Sequence, residues 1–287
     1  MCKCILCNNK FDELTEEHII PYALGNDTLK ANILCKDCNS DLGSFVDCSL
    51  IDNIAIQIKR MDLKISGRGK VPNPFKQGVD AKGNKYIVNN DFKPTIINSI
   101  TKDGNRFRAH ASNKEELKKI VRKSLTRDGY YSEKINNVMD MIDKIEANKF
   151  KPELIYDIEI NLNDYCLAIL KIAYEYAYLR LGDSYLNDTR ANEIKDIIRA
   201  KIDNKITANH YKNMFVNQIN EEFSGIIAAN NLKDICHFIM LMPTANNCIG
   251  CLISLFGDIN LSYIVLVSRD QNKYTIPDPD LILIKSE

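Results

Sequence analysis

An α+β chain is predicted: a small zinc-stapled module at the N-terminus, then a region mixing helices with antiparallel strands. Three observations carry this. Two Cys-x-x-Cys pairs, Cys4/Cys7 and Cys35/Cys38, bracket a segment that is rich in turn formers and short on periodicity. Alternating runs separated by turn signals occupy 79–111, and 235–268 is the most strand-like stretch of the chain. An apolar stripe at helical spacing marks 164–181.

Taken in order, residues 1–48 read as a metal-organised module with little core of its own, anchored by Ile19-Ile20 and Ile33-Leu34. A short helix is predicted from Asn39 through Asp47 and a second over Leu50–Leu63, where Ile51, Ile54, Ile58 and Met61 recur at helical spacing. Gly67-Arg68-Gly69-Lys70 with Pro72 and Pro74 reads as a basic loop. Lys82-Gly83-Asn84 and Asp103-Gly104-Asn105 mark hairpin turns. Arg106 and Arg108 then share a face, because side chains alternate along a strand. Ser112-x-x-Glu115 opens a basic helix over 113–126 as a capping box. Further helices are predicted over Ser132 to about 148, 164–181 (ended by Gly182) and 189–203, with a strand over Leu154–Leu162 and three strands over 236–242, 248–256 and 261–268. Pro277-Asp-Pro279 reads as the start of an exposed tail.

Net charge is zero, with 38 Lys/Arg against 38 Asp/Glu, but it is unevenly spread. Residues 1–58 hold 4 basic against 9 acidic residues, 59–127 hold 18 against 6, and 128–287 hold 16 against 23. A neutral chain with a strongly basic middle third fits a polyanion binder with a defined footprint. No stretch of about 18 apolar residues spans a membrane, and the first residues show no apolar leader. Ten cysteines without an export signal favour reduced thiols and metal ligation, and a cytoplasmic location.

The two knuckles supply four thiolates, the set that closes a tetrahedral structural Zn²⁺ site with Cys4, Cys7, Cys35 and Cys38. The 27-residue separation leaves room for an inserted functional loop. That loop holds Glu17-His18-Ile19-Ile20-Pro21, and Asn39 follows the last ligand directly. A lone histidine is more often structural, but here a carboxylate is its neighbour and zinc knuckles lie on both sides. A third pair, Cys248/Cys251, lies in an apolar run without a partner pair and reads as core. His110, His210 and His237 have no ligand set nearby and read as surface or core residues. The tyrosines of 165–185 read as packing, and Tyr130 and Tyr131 are weak candidates for base stacking.

Glu17-His18-Ile19-Ile20-Pro21-Tyr22-Ala23-Leu24-Gly25, then Asn32-Ile33-Leu34-Cys35, then Cys38-Asn39, resembles the HNH endonuclease family over about the first fifty residues. The resemblance implies a ββα-metal fold, with His18 ending the first strand as general base on water. It implies that Asn32 orients the loop and His18 by hydrogen bonding, and that Asn39 joins Glu17 as ligand of a divalent cation. Glu17 stands where Asp is common in the wider family, and Asn39 where His is. Both are hard oxygen donors, which favours Mg²⁺ or Mn²⁺.

Three segments follow: a zinc-binding HNH module over 1–60, a basic hairpin and helix segment over 61–127, and an α+β region over 128–287. The middle segment is the candidate DNA-binding part, with Arg68, Lys70, Arg106, Arg108, Lys119, Arg122 and Lys123 on the phosphate backbone. The last is a candidate dimerisation or sensing domain, open to a small-molecule or protein regulator. Duplex DNA is the expected substrate and a homodimer the expected assembly. The resemblance also brings restriction or phage defence as the setting. The rival readings are a zinc-ribbon nucleic-acid binder without catalysis and an RNA-directed nuclease or toxin.

Overall fold

Two short strands open the chain, β1 (Cys2–Lys3) and β2 (Lys10–Phe11), paired antiparallel on either side of the first cysteine knuckle. The computed structural model describes residues 1–104, 106–146, 151–158, 162–204, 212–215 and 233–285. A second antiparallel pair follows, β3 (Thr15–His18) and β4 (Lys30–Leu34), with Glu16 opposite Asn32 and His18 opposite Lys30. The chain then enters helix α1 (Lys36–Leu42), capped by Cys35, and completes a ββα unit.

Helix α1 runs through a π-helical turn, Gly43–Asp47, into α2 (Cys48–Ile51). The single helix read over Leu50–Leu63 is broken in two. Asn53 takes an extended conformation and accepts a hydrogen bond from Ala55 N–H, capping α3 (Ile54–Asp62).

The described residues divide into two compact units, one of Met1–Pro72 with Ile160–Glu287 and one of Asn73–Glu159. The composition shift near 128 therefore falls inside the second unit, because charge patterning follows the surface and packing sets the boundary. In that second unit β5 (Gln77–Val79), β6 (Lys85–Val88) and β7 (Pro94–Ile96) form a three-stranded sheet. Strands β8 (Ser99–Asp103) and β9 (Arg106–His110) form a hairpin. Helices α4 (Lys114–Arg127) and α5 (Ser132–Asp143) pack on the hairpin through Val121, Leu125, Ile135, Met139 and Ile142. The cap of α4 is Asn113, whose side chain accepts from Glu116 N–H, and not Ser112. The strand read over Leu154–Leu162 reduces to one bridge, Ile155 to Val79, with 159–161 outside the described residues.

The rest of the chain returns to the first unit as α6 (Leu162–Leu181), α7 (Thr189–Ile202) and a four-stranded sheet. That sheet has β10 (Cys236–Thr244), β11 (Cys248–Ser254), β12 (Ser262–Ser268) and β13 (Asp280–Leu283), in the order β12-β11-β10-β13. The segment read as an exposed tail thus contributes an edge strand. From Leu167 to Ala177 every residue of α6 is buried, as a helix apolar almost all round requires. It packs on α2, the π-turn, α7 and strands β11 and β12, so one core joins Ile5, Leu34 and Leu50 to Ile169, Ile194 and Val265. No described helix is long and apolar enough to cross a membrane.

The C-terminal residues also clamp the loop between β3 and β4. Gly25 has φ +92° and its carbonyl accepts from Lys285 N–H at 3.0 Å, while a Cβ at position 25 would meet Ile284 Cγ2 at 2.9 Å. Only glycine fits both the backbone angle and the approach.

Candidate active site

The four knuckle cysteines converge. Their sulfur atoms all lie within 4.8 Å of one another, and Cys7 Sγ is 3.9 Å from Cys35 Sγ. Each knuckle is shaped by backbone: Asn8, at φ +62°, donates its N–H to Cys4 O at 3.0 Å, and Cys35 sits at the N-terminus of α1. Hydrogen bonding from Cys38 holds the Cys4 thiol down to about 4, while the same contact pushes Cys38 up. Four crowded sulfurs sharing protons in this way are the donor set that a tetrahedral Zn²⁺ satisfies.

A cleft of about 240 Å³ is lined by Glu16, Glu17, His18, Tyr22, Asn39, Asp47 and Arg68 among others. His18 ends β3 half-buried, its ring edge-on to Tyr22 with centroids 5.4 Å apart. Burial lowers its pKa below the usual 6.5, with Lys30 and Arg68 adding to the effect and Glu16 and Glu17 opposing it. The imidazole is therefore neutral near pH 7, the form that accepts a proton. Asn39, in α1, donates through Nδ2 to Thr15 Oγ1 at 2.9 Å and to Glu16 O at 3.1 Å. Both amide hydrogens are thus spent on strand β3, and the amide oxygen remains as an acceptor at the cleft. Glu17 and Asn39 both line the cleft, so two hard oxygen donors stand beside His18 and suit a divalent cation such as Mg²⁺.

Two placements differ from the sequence reading. Asn32 is exposed on β4, opposite Glu16, and is not among the residues lining the cleft. The loop is held instead by Asn26, fully buried, which donates to Ile20 O at 2.6 Å and Leu29 O at 2.9 Å and accepts from Thr28 and Leu29 N–H. A four-bond buried amide fixes a loop in a way an exposed one cannot. Glu17 is not a free carboxylate: it is 5 % exposed, and its Oε1 is ion-paired with the ammonium of Lys171 from α6. Asp47 Oδ2 at 3.3 Å and Glu175 Oε2 at 3.1 Å share the same ammonium. Burial pushes Asp47 up to about 6 and Glu175 well above its ordinary value, while the surrounding carboxylates outweigh burial and hold Lys171 charged.

Of the proposed nucleic-acid contacts, the structure brings Arg68 to the cleft, 5.9 Å over the Tyr22 ring. Lys70 is exposed in the same loop and does not line the cleft. In the second unit Arg106 and Arg108 are exposed on one face of β9, and Lys119, Arg122 and Lys123 are exposed on α4. Arg108 lines a cavity of about 600 Å³ together with Lys82, Lys85 and His110. Among the described residues, the other cysteines and histidines weighed from sequence join no metal-binding cluster. Cys251 is buried and Cys248 partly exposed on β11, and His237 is fully buried. His210 lies outside the described residues.

Asp47, Lys171, Glu175 and Asn26 were not anticipated. A signal existed for three of them: Lys171 and Glu175 are the charged residues, at i and i+4, inside the apolar stretch 165–179 of α6. For Asn26 the signal was an Asn directly after a turn glycine.

Residues 4–55, less than a fifth of the chain, match the family model described as HNH endonuclease. No curated protein and no solved structure matches the chain.

Proposed function

We propose that this chain, on the premise of an HNH endonuclease module over residues 4–55, is a divalent-metal-dependent endonuclease acting on DNA. One observation carries the reading: His18, Glu17 and Asn39, from a strand and the helix that packs on it, line a single open cleft with Arg68. Phosphodiester hydrolysis needs an acceptor for the proton of the attacking water, and His18 is neutral and half-exposed there. A Mg²⁺ or Mn²⁺ ion held by Glu17 and Asn39 would supply positive charge for the scissile phosphate and the leaving oxygen. Arg68, exposed at the cleft, offers the phosphate a guanidinium. Tyr22 packs against the imidazole and limits its rotation.

DNA as the polyanion is supported by the second unit. Residues 73–159 hold 17 Lys/Arg against 13 Asp/Glu. The cavity there is lined by Lys82, Lys85, Arg108 and His110 without a carboxylate. Contacts of this kind grip the backbone without reading sequence. Among the described residues His18, Glu17 and Asn39 form one such cleft, and a duplex break by one-site modules calls for two chains, which supports a homodimer as the working form.

The test is nicking of supercoiled plasmid by the purified full chain with Mg²⁺ or Mn²⁺ titrated in, beside single-stranded DNA and RNA. The reading expects metal-dependent nicking of the plasmid. Binding without cleavage at any metal concentration would overturn it in favour of a zinc-stapled binding protein, and cleavage of RNA alone would overturn the substrate.

A further inference from the structure

We propose that Lys171 is a positioning residue of the metal site, which makes helix α6 a working part of the nuclease centre; this rests on the reading of the cleft given above. Lys171 is 0 % exposed, 154 residues from Glu17 in sequence, and its ammonium joins Glu17, Asp47 and Glu175. A buried ammonium is costly, and an apolar side chain of similar length would fill the space without that cost. The charge is therefore read from what it holds in place.

The ammonium takes one oxygen from each of two cleft carboxylates, Glu17 and Asp47. Glu17 gives Oε1, and its Oε2 is not among the buried oxygens that lack a partner, so it is left to the cleft that Glu17 lines. Asp47 gives Oδ2 and keeps Oδ1 buried, without a hydrogen-bond partner, beside the same cleft. The ammonium also reaches the carbonyl oxygen of His18 at 3.5 Å. One cation thus ties the end of β3, the π-turn that carries Asp47, and α6. A glutamate has three side-chain torsions, and an unanchored Glu17 would present its free oxygen in many directions. An anchor behind a ligand that fixes its orientation is how outer groups tune a metal site.

Two rival roles make different predictions. If the contact is only structural, removing it changes stability and leaves metal affinity alone. If the ammonium sits where the metal would, removing it tightens metal binding.

The experiment measures Mn²⁺ binding by electron paramagnetic resonance on the zinc-loaded full chain. It compares wild type, Asn39→Ala, Glu175→Gln, and the double variant Lys171→Met/Glu175→Met, which removes both ends of the internal pair together. Wild type is expected to bind Mn²⁺ at a site lost in Asn39→Ala, and Glu175→Gln to bind as wild type does. The double variant is expected to keep its zinc and a cooperative melting transition, and to lose about 10- to 100-fold in Mn²⁺ affinity. Its plasmid nicking should recover as Mn²⁺ is raised, so that half-saturating metal rises more than the maximal rate falls. A folded, zinc-loaded double variant that binds Mn²⁺ as tightly as wild type, or more tightly, overturns the proposal. Should that variant fold poorly, Lys171→Gln takes its place with the same two outcomes. Wild type that binds no Mn²⁺ overturns the cleft reading itself and this proposal with it.

Discussion

His237 carries no chemistry in the cleft, yet its ring fixes the loop that follows His18. Its Nε2 pairs with Leu24 O at 3.0 Å, and its Nδ1 accepts Phe256 N–H at 3.1 Å. That pair of bonds demands the neutral Nε2–H tautomer, since a proton on Nδ1 would face another N–H. Burial accordingly holds its pKa down at about 4. Below pH 6.5 the unfolded chain takes up a proton that the folded chain refuses. The contribution is thus complete above pH 6.5 and is lost as pH falls from there through 4, amounting to about 3 kcal/mol. Urea unfolding between pH 7.5 and 4.5 checks this. His237→Asn should be less stable than wild type at pH 7.5, and the gap should narrow on the acid side. A gap that stays constant with pH would show that His237 does not titrate this way. Ligand type and spacing are local features, so the sequence singles out the cysteines, Glu17, His18 and Asn39, and the structure gathers the four sulfurs in one cluster and the other three in one cleft. Asn32 and Asn26 lie in one hairpin six residues apart, and only burial tells which amide holds the loop.

At the level of elements, the ββα unit stands on its sulfur cluster and its caps. Cys35 both begins α1 and completes the knuckle set, so its loss removes a ligand and a helix start together. Cys35→Ala should release zinc, measured by elemental analysis, and lower the melting temperature of the full chain by many degrees, since a structural zinc site contributes free energy comparable to a domain's whole stability. Unchanged zinc content and melting would contradict the assignment. The strands of 235–268 and the helix of 164–181 were legible because each pattern runs for several turns or residues. The break at Asn53, the cap at Asn113 and the edge strand Asp280–Leu283 were not. The two caps turn on which of several adjacent polar side chains accepts a backbone N–H two or three residues on, and the edge strand on pairing with β10, some forty residues earlier.

For the whole molecule, the module of the first fifty residues has no core to itself. Tyr174 O–H donates to Ile5 O at 2.7 Å and Arg199 Nη1 to Leu6 O at 3.2 Å, so α6 and α7 hold the first knuckle from outside. Ile5, Leu34, Val46 and Leu50 share one buried cluster with α6, α7 and the C-terminal sheet. Expressed alone, residues 1–72 should show no cooperative thermal transition even with zinc, by circular dichroism; a sharp transition near that of the full chain would contradict the shared core. The acidic C-terminal portion is thereby structural to the module of the first fifty residues. The reading of the cleft meets its most direct test in single-turnover nicking of plasmid by wild type and His18→Ala at saturating Mn²⁺, with zinc content matched. Loss of about 10²- to 10⁴-fold in rate, with binding and folding retained, is the predicted result. Equal rates in the two proteins would contradict it.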